Sequence, residues 1–445
     1  MKSSRLAGAL FLLVLGIEHL AWAEDDRSLR ALTLDQALAE LDSQSPTLVQ
    51  ARGRVADARA LATQAAVPLL PTLVAAGGYT RNSADAIVDL SKLPLAGLPA
   101  GALPSGPLVI QPLGVWTVSG SLRVPLIVPN AWADWAAAQR AADSIGATAE
   151  SARLQLRASL AQAAWAAAAA EEIVAASERA VTVAEEHQRS AARSVTAGTE
   201  APLSVLKAET EVVKRQSDLA QARANRERSH LALGVLLGKT EPLRVLLPPI
   251  AGGETPHPVD SLVAEALQAR PEIVAQEAQI RAARAQVTSA RLRWLPQISG
   301  SGAVFAADVP YPTGKKEGWR LTLDALWPLY DGGLAGGKRD QAQADLLTAR
   351  AAAEAQRLNV IQEVQDTRRD VSVAGERLRL AEQQRDLATA AAASAKRTFE
   401  AGVASSLDVL DANDKLYQAD VGMADAHGRL GIARVALDRA LGRMR

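Results

Sequence analysis

Two aspartates three positions apart, Asp408 and Asp411, are the residues whose type and spacing could do chemistry in this sequence. They follow Gly402, where one long alanine-rich helical pattern stops, and Ser405, where the next pattern starts. Gly after a last helical turn and Ser before a first one are stop and start signals, so a helical hairpin is predicted here. Residues three apart share one face of a helix. Acids in this place either complement the helix dipole or form a charged ring that closes a pore.

Residues suited to catalysis or metal binding are scarce. The chain has no Cys, and its later histidines are scattered without metal-ligand spacing, at His187, His230, His257 and His427. It contains neither a G-x-S-x-G motif nor a nucleotide-binding G-x-x-x-x-G-K-[ST] motif. A lone histidine on a long polar helix is usually solvated, so no special role is predicted for any of the four. The sequence therefore favours a protein that is not an enzyme and uses no cofactor or metal.

Composition narrows the class of protein further. The 445 residues carry 49 basic and 49 acidic side chains, and this zero net charge argues against nucleic acid as a partner. Aromatic residues make up only 3% of the chain, whereas alanine is abundant. Such a composition supplies too few large side chains for several ordinary cores. It suits long helices that pack closely through small residues.

The N-terminus has the pattern of a secretory signal. Lys2 and Arg5 precede an apolar run over residues 6–17, and Ala21-Trp22-Ala23 is a small-x-small cleavage site. A signal peptide over residues 1–23 is therefore predicted. No later apolar run reaches the roughly 18 residues of a spanning helix, and no Cys is available for an acyl anchor. We expect an exported protein that is not lipidated.

The sequence contains an internal duplication. Pro46 and Pro271 are 225 positions apart, whereas Gly198 and Gly402 are 204 apart. The first copy therefore carries about 21 extra residues, which fall in the Pro/Leu/Gly-rich segment around 91–112.

Both copies show the same order of predicted elements. The first repeat, 24–238, has short helices over 33–67, a β-hairpin over 71–125, a long helix over 131–197 and a return helix over 202–237. A linker, 239–259, leads to the second repeat, 260–445, with helices over 260–292, a β-hairpin over 296–328, a long helix over 334–401 and a return helix over 405–441. Thr33 and Gln36 form a predicted capping box at the first helix start.

Two stretches of about ten residues alternate apolar and polar side chains. Their apolar faces end in tryptophan, namely Trp116 in the first repeat and Trp319 and Trp327 in the second. This length and pattern fit tilted transmembrane β-strands with aromatic side chains at the membrane interface; the alternative is a half-buried hairpin of a soluble protein. Four strands cannot close a barrel alone, so spanning requires an oligomer.

Helix contacts are also predicted from periodicity. The last helix carries large and small residues at steps of three and four, which is the pattern of a coiled-coil seam with close helix approach. These positions are Leu416, Ala419, Met423, Ala426, Leu430, Ala433, Leu437 and Ala440. Val364 and Val371 continue the pattern in the preceding helix. Charged pairs such as Glu171-Glu172 are predicted to lie on solvated faces.

The chain resembles the TolC-type outer membrane efflux protein family over essentially all of its mature length. The residues that carry the resemblance are Gly402, Leu407-Asp408-Val409-Leu410-Asp411-Ala412, Leu416-Tyr417, Pro328-Leu329-Tyr330-Asp331-Gly332-Gly333 and Arg270-Pro271-Glu272. The resemblance implies an α+β membrane protein with an internal two-fold duplication. The implied assembly is a homotrimer. Its transmembrane β-barrel contacts outer membrane lipid, and its long α-helical coiled-coil barrel reaches into the periplasm.

The family's activity and partners follow from the same resemblance. It implies a passive outer membrane exit duct of a tripartite efflux or type I secretion system in a Gram-negative bacterium. A periplasmic adaptor would dock at the helical tips, Gly198, Thr199, Gly402 and Val403, and an inner-membrane pump of the RND, ABC or MFS type would supply energy. The alternative is a periplasmic adaptor or coiled-coil scaffold, which also presents helical hairpins with glycine tips but does not need two alternating strand pairs.

The resemblance also assigns a periplasmic gate. It implies that Asp408 and Asp411 project into the tunnel mouth as two rings of carboxylates, and that Phe399 takes part in the network that holds the gate closed. The matching positions of the first copy are Ser204 and Lys207, so the acids occur in one copy only. Acids present merely as caps would be expected in both copies, which favours the ring.

One position departs from the family's pattern. Ala404 stands where well-known members carry a basic residue that ties the closed state to the neighbouring tip. Alanine cannot make that contact, so a different closing lock is predicted here, with Lys207 and Arg193 as candidates for the missing basic residue.

Overall fold

The computed structural model describes residues 29–89, 107–249, 258–311 and 314–444. The predicted signal peptide over residues 1–23 lies outside these residues. So do most of the extra segment around 91–112 and the second part of the linker 239–259.

Eight α-helices and one short 3-10 helix, Val67–Leu69, lie within the described residues. In chain order the α-helices are α1 Leu34–Gln44, α2 Pro46–Ala65, α3 Pro129–Thr196, α4 Leu203–Leu236, α5 Val259–Ala269, α6 Pro271–Leu292, α7 Leu334–Glu400 and α8 Ser406–Ala440. The capping box predicted at the start of α1 is confirmed, because the side chains of Thr33 and Gln36 each accept a hydrogen bond from the other's backbone N–H. Pro46 and Pro271 open α2 and α6, where a helix needs no N–H donor.

Eight strands accompany these helices in the described part of the chain. They are β1 Ala31–Thr33, β2 Thr72–Arg81, β3 Ala86–Asp89, β4 Pro107–Gln111, β5 Gly114–Ile127, β6 Arg244–Leu246, β7 Gln297–Ala307 and β8 Glu317–Leu326. Four of them form one antiparallel sheet in the order β2-β5-β7-β8. The strand pairs of the two halves therefore lie side by side, and β2 and β8 are the sheet edges.

Two smaller strand pairs are absent from the sequence prediction. β3 and β4 form an antiparallel hairpin that flanks the extra segment. β1 and β6 pair in parallel, with Leu32 opposite Val245, and both side chains are buried. The region predicted as a linker over 239–259 thus contributes β6 to the core. β1 and β6 have only three residues each, which is too short to show the alternation of apolar and polar side chains that predicts a strand.

The long helices α3 and α7 organise the rest of the fold. Each would extend about 100 Å at 1.5 Å per residue. Towards the sheet, neighbouring helices follow the order α2-α3-α6-α7, and towards the far end they follow the order α4-α3-α8-α7. The helices therefore form a single row at each level, with α2 or α4 at one edge and α7 at the other.

The largest buried side chains lie where the short helices α1 and α5 cover the long ones. Leu41 of α1 packs in one cluster with Leu160 and Leu233, and Leu262 of α5 packs in another with Val360 and Val364. The seam predicted for α8 is confirmed at its buried positions, Ala419, Ala426, Leu430, Leu437 and Ala440. None of the described helices is long and apolar enough to cross a membrane.

A second buried face of α8 was not predicted. Gly428, Gly431 and Val435 are buried against α3, beside Trp165. Glycine carries no periodic hydrophobic signal, so this face could not be read from the heptads. As a result α8 is packed between both long helices.

Candidate functional site

The second helical tip joins α7 to α8. Gly402 adopts a positive φ of 76°, which ends α7 without the strain that a side chain would cause. Ser405 is the N-cap of α8, and its hydroxyl accepts a hydrogen bond from Asp408 N at 3.3 Å. Asp408 Oδ2 in turn accepts hydrogen bonds from Ser405 Oγ at 2.7 Å and Ser405 N at 2.9 Å. These bonds stabilise the carboxylate and lower the pKa of Asp408.

Asp411 has a local partner as well. Lys415 Nζ donates to Asp411 Oδ2 at 2.6 Å, one turn further along α8. Asp408 and Asp411 are both exposed, as a luminal pair of acids requires. Within the chain, however, one acid completes a capping box and the other pairs with a lysine.

The capping box bears on why the acids occur in one copy only. At the first tip, Ala201 stands where the second has Ser405, and the N-cap of α4 is Pro202 without a side-chain cap. A copy without the serine has no capping box for an acid to complete. The absence of an acid at Ser204 is therefore also explained by local helix chemistry.

Phe399 lies apart from the two acids. Its ring is buried and tilts against the ring of His187 on α3, with centroids 5.4 Å apart. It packs inside the helix row, whereas Asp408 and Asp411 are exposed. Of the three predicted gate residues, two are therefore exposed and the third is buried beside α3.

Two of the four histidines predicted to be solvated, His187 and His230, are buried instead. His427 remains partly exposed, and His257 lies outside the described residues. His187 is only 6% exposed, and its Nε2 lies 2.9 Å from Ser406 Oγ on α8. His230 is buried and lies 2.9 Å from Glu171 Oε1, while His427 Nδ1 lies 2.9 Å from Glu172 Oε1. Each of the three described histidines ties two helices together, a role that a single-sequence pattern cannot show because the partner is distant in the chain.

Glu171 also departs from the prediction of a solvated face. Burial acts to raise its pKa, but hydrogen bonds from His230 and Arg244 outweigh burial and lower the pKa of Glu171 to about 2. Arg244 donates to Glu171 through Nε at 2.9 Å and through Nη2 at 2.6 Å. Glu171 therefore connects α3 to α4 and to β6.

The first tip is exposed in the same way as the second. Gly198 has a φ of 74°, and Thr199 is exposed beside it. Gly402 and Val403 of the second tip are exposed too, and Val403 shows 82% of its surface. Glu200 connects the tips, because its Oε1 accepts a hydrogen bond from Ser406 N at 3.3 Å.

A cavity of about 720 Å³ lies between α3, α7 and α8 near the tips. Val183, Ala392, Phe399, Val409 and Leu416 supply its apolar lining, and Glu186 and Lys396 pair across it at 3.5 Å. At about 100° per residue, Val409 and Leu416 point roughly 80–160° away from Asp408 and Asp411 around α8. Neither acid is among the residues that line the cavity.

The sheet presents one strongly apolar exposed face. Cross-strand partners such as Leu73 with Leu122 place these side chains on one side, and the set comprises Leu73, Trp116, Val118, Leu122, Val304, Trp319, Leu321 and Leu323. Trp116 and Trp319 lie at the end remote from the helices. Trp327 follows β8 at the opposite end, where its Nε1 donates to Trp294 O at 3.1 Å. An exposed apolar surface of this kind marks a contact with lipid or protein.

Comparison with known proteins gives a family match over both halves. The model of the family described as outer membrane efflux protein matches residues 37–239 and residues 262–443. The chain is 29% identical over 240 residues to outer membrane protein OprJ of Pseudomonas aeruginosa, which covers 50% of this chain and 49% of that protein. It is 29% identical over 262 residues to pyoverdine export outer membrane protein OpmQ of the same species, covering 55% and 52%. The alignments thus span about half the length of these curated relatives.

A solved structure shows a similar fold. The outer-membrane channel OprN superposes with a TM-score of 0.76 at 22% identity, covering 92% of this chain and 89% of that one.

Proposed function

Because the chain belongs to the outer membrane efflux protein family, we propose that it forms the passive exit duct of a tripartite export machine. The protein is located in the cell outer membrane of a Gram-negative bacterium and extends into the periplasm. In the proposed assembly, three copies close a duct from the periplasm to the exterior. A periplasmic adaptor opens this duct, and an inner-membrane pump drives the cargo.

The observation that carries the proposal is the pair of open edges of one chain. The sheet ends in β2 and β8, and the helix rows end in α2 or α4 and in α7. In the sheet and in the helix rows alike, the first half of the chain supplies one edge and the second half supplies the other. Two different edges can pair head to tail between neighbouring copies, and such pairing can close into a ring. Three copies of four strands make a barrel of 12 strands, and three copies of four helices make a tunnel wall of 12.

The side chains at the helix edges support this closure. Val373, Leu380 and Leu387 are exposed on α7 at intervals of seven, on the side opposite to the face that packs on α8. At the other edge, Leu206 and Val213 are exposed on α4, opposite to the face that packs on α3. Exposed heptads at both edges need a partner, and a neighbouring copy supplies it.

The apolar face of the sheet supports contact with outer membrane lipid. Trp319 and Trp327 are eight residues apart, so they span about 26 Å along the strand at 3.3 Å per residue. At the strand tilt of about 35–45° in outer membrane barrels, this span corresponds to about 20 Å along the membrane normal, which is comparable with the roughly 25 Å apolar band that aromatic girdles flank. A periplasmic adaptor or coiled-coil scaffold has no use for such a face, so the duct is favoured over that alternative.

The repeated order of elements supports an internal two-fold duplication. α1, α2, β2, β5, α3 and α4 in the first half correspond to α5, α6, β7, β8, α7 and α8 in the second. The division into repeats 24–238 and 260–445 follows from this correspondence. The single family model also matches once in each half.

The gate and docking sites complete the proposal. In a trimer, Asp408 and Asp411 would form two rings of three carboxylates at the periplasmic mouth, and Phe399 would support them from within the wall. The exposed tips would receive the adaptor at Gly198, Thr199, Gly402 and Val403. Ala404 offers no basic side chain for the lock implied by the family, so closure here would depend on other contacts.

A cross-linking experiment tests the head-to-tail closure. Leu387 and Val213 each lie 15 positions from their tip glycines, Gly402 and Gly198, so they would face each other between neighbouring copies. The chain has no Cys, and the variant with Leu387→Cys and Val213→Cys should form a covalent ladder of up to three chains on oxidation. The matched pair Leu387→Cys with Val49→Cys, where Val49 lies on α2 at a different level, should not. The absence of linked chains in the first pair would contradict this closure.

A further inference from the structure

We propose that His187, Ser406 and Glu200 form a proton-sensitive latch, which holds the first turn of α8 against α3 and the first tip and releases it when the imidazole is protonated. The existence of the latch does not depend on the proposed duct. Its consequence, an opening of the periplasmic mouth by acid, rests on the proposed function.

The geometry of the latch joins three separate segments. Ser406 is the first residue of α8 and is buried. Its hydroxyl lies 2.9 Å from His187 Nε2 on α3, and its backbone N donates to Glu200 Oε1 at the first tip at 3.3 Å. The N–H groups of a first helical turn have no partner within the helix. Glu200 thus caps α8 from the other tip, in addition to the local cap by Ser405.

One oxygen of the latch is left without a hydrogen bond. Glu200 Oε2 is buried and has no hydrogen-bond partner among the described residues. A buried carboxylate oxygen without a donor is unfavourable. A protonated imidazole next to it would provide both a donor and a positive charge, so the latch already contains the group that would draw Glu200 away from Ser406.

The other charged groups near His187 leave Glu200 as the acid that acts on it. The charged residues that line the adjoining cavity are Glu186, Arg189 and Arg193 of α3 and Lys396 and Glu400 of α7. Glu186 is paired with Lys396. The first turns of α8 present only uncharged groups to the cavity, Val409 and Asn413. Burial lowers the pKa of His187, and the charge of Glu200 acts in the opposite direction without cancelling that effect.

The direction of the pH response follows from the lowered pKa of the buried His187. Burial in the latch lowers the pKa of His187, and release removes part of that burial, so the released imidazole has the higher pKa. Protonation therefore disfavours the latched state. The latch is intact at high pH and weakens as the pH falls through the pKa of the released imidazole. The imidazolium offers only donors, and it competes with Ser406 N–H for Glu200.

The cavity beside His187 gives this change room to occur. The imidazole ring of His187 contacts Phe399 on one side and borders the cavity of about 720 Å³. A ring in a tightly filled core could not turn without displacing its neighbours. Here the imidazole can turn towards the cavity while α8 loses its cap.

The release can be measured at Val409, which lies in the first turn of α8 and is only 3% exposed. A Val409→Cys variant of the full chain is labelled with a neutral maleimide, and its rate is divided by that of Val403→Cys at the exposed tip. Because pH changes the ionisation of both introduced thiols, dividing one labelling rate by the other removes that effect. We expect this ratio to rise roughly threefold or more between about pH 7.5 and about pH 5.5, because protonation shifts the population towards the released state.

Two further substitutions make the result specific. His187→Gln, which cannot gain a proton, should abolish the pH dependence. His427→Gln is the matched control, because His427 also ties α8 to α3 but lies outside the latch, and it should leave the rise unchanged. An unchanged ratio in the parent, or the same rise in His187→Gln protein of normal helix content and assembly size, would overturn the latch. Labelling needs no membrane, so a missing ion current would count against the duct and not against the latch.

Discussion

Gly431 of α8 lies directly against the indole of Trp165 on α3, and a Cβ added at Gly431 would overlap the ring. Gly428 approaches α3 in the same way, because a Cβ there would lie 2.6 Å from Ala169 Cβ. The two glycines allow α8 to approach α3 closely, about 33 Å or more along α8 from its first turn at 1.5 Å per residue. This close contact therefore belongs to the packing of the helix row.

Gly431→Ala should therefore destabilise the protein. The added methyl group overpacks the Trp165 contact, at a cost of about 1–3 kcal/mol in unfolding free energy. Gly422→Ala is the matched control on the same helix, since nothing lies within 4 Å of a Cβ there. It should be neutral or stabilising by up to about 1 kcal/mol, because alanine is the better helix former. Denaturant unfolding compares the two, and equal effects would show that the close approach is unimportant.

Arg270 should be required for stability at mid-length of the molecule. It is only 2% exposed and donates to Glu363 at 2.5 Å and to Glu272 at 3.3 Å, which explains the Arg270-Pro271-Glu272 motif. Arg270→Met removes the guanidinium partner of Glu272 and one of the two partners of Glu363, which keeps Arg439. Loss of the bonds of this buried arginine costs about 1–3 kcal/mol. Arg379→Met removes an exposed pair with Glu376 and should change the unfolding midpoint little. Similar midpoints for the two variants would contradict a structural role for Arg270.

Glu171 should contribute stability that depends on pH. Its folded-state pKa of about 2 lies below the ordinary value of 4.5, so its contribution is complete above pH 4.5 and is lost as the pH falls towards 2. Glu171→Gln should lower stability at neutral pH and flatten the acid limb of the stability profile. The control is Glu178→Gln, which removes an exposed pair with Arg223. An acid limb of unchanged slope in Glu171→Gln would refute the assignment.

Asp408 can be tested for a gate role separately from its capping role. Asparagine keeps an oxygen that accepts from Ser405, but it carries no charge. Both Asp408→Asn and Asp408→Ala should therefore reduce the preference for cations, whereas Asp408→Asn should keep more of the stability of the parent than Asp408→Ala does. Asp425→Asn, in an exposed pair with Arg429 further along α8, is the control and should not alter selectivity. Ion selectivity in Asp408→Asn equal to that of the parent would leave capping as the sole role of this acid.

Element order was largely predictable because the signals were long or strong. The 68 residues of α3 lack internal proline, Gly402 and Ser405 mark the second tip, and alternation marks β5 and β8. The contacts that hold α8 against α3 were not predictable. Gly431 against Trp165, and His187 against Ser406, join residues more than 200 positions apart through small or polar groups that leave no periodic trace. The capping box of Asp408 is local, and a helix-end role for this acid was one of the two alternatives that the sequence left open.

The central claim, that copies of this chain enclose a water-filled path through the outer membrane, is tested most directly by recording ion currents across a planar lipid bilayer. The account predicts stepwise, cation-preferring currents that are small at rest, because the tips hold the periplasmic mouth nearly closed. Bilayers that stay at baseline after folded protein has inserted would contradict it.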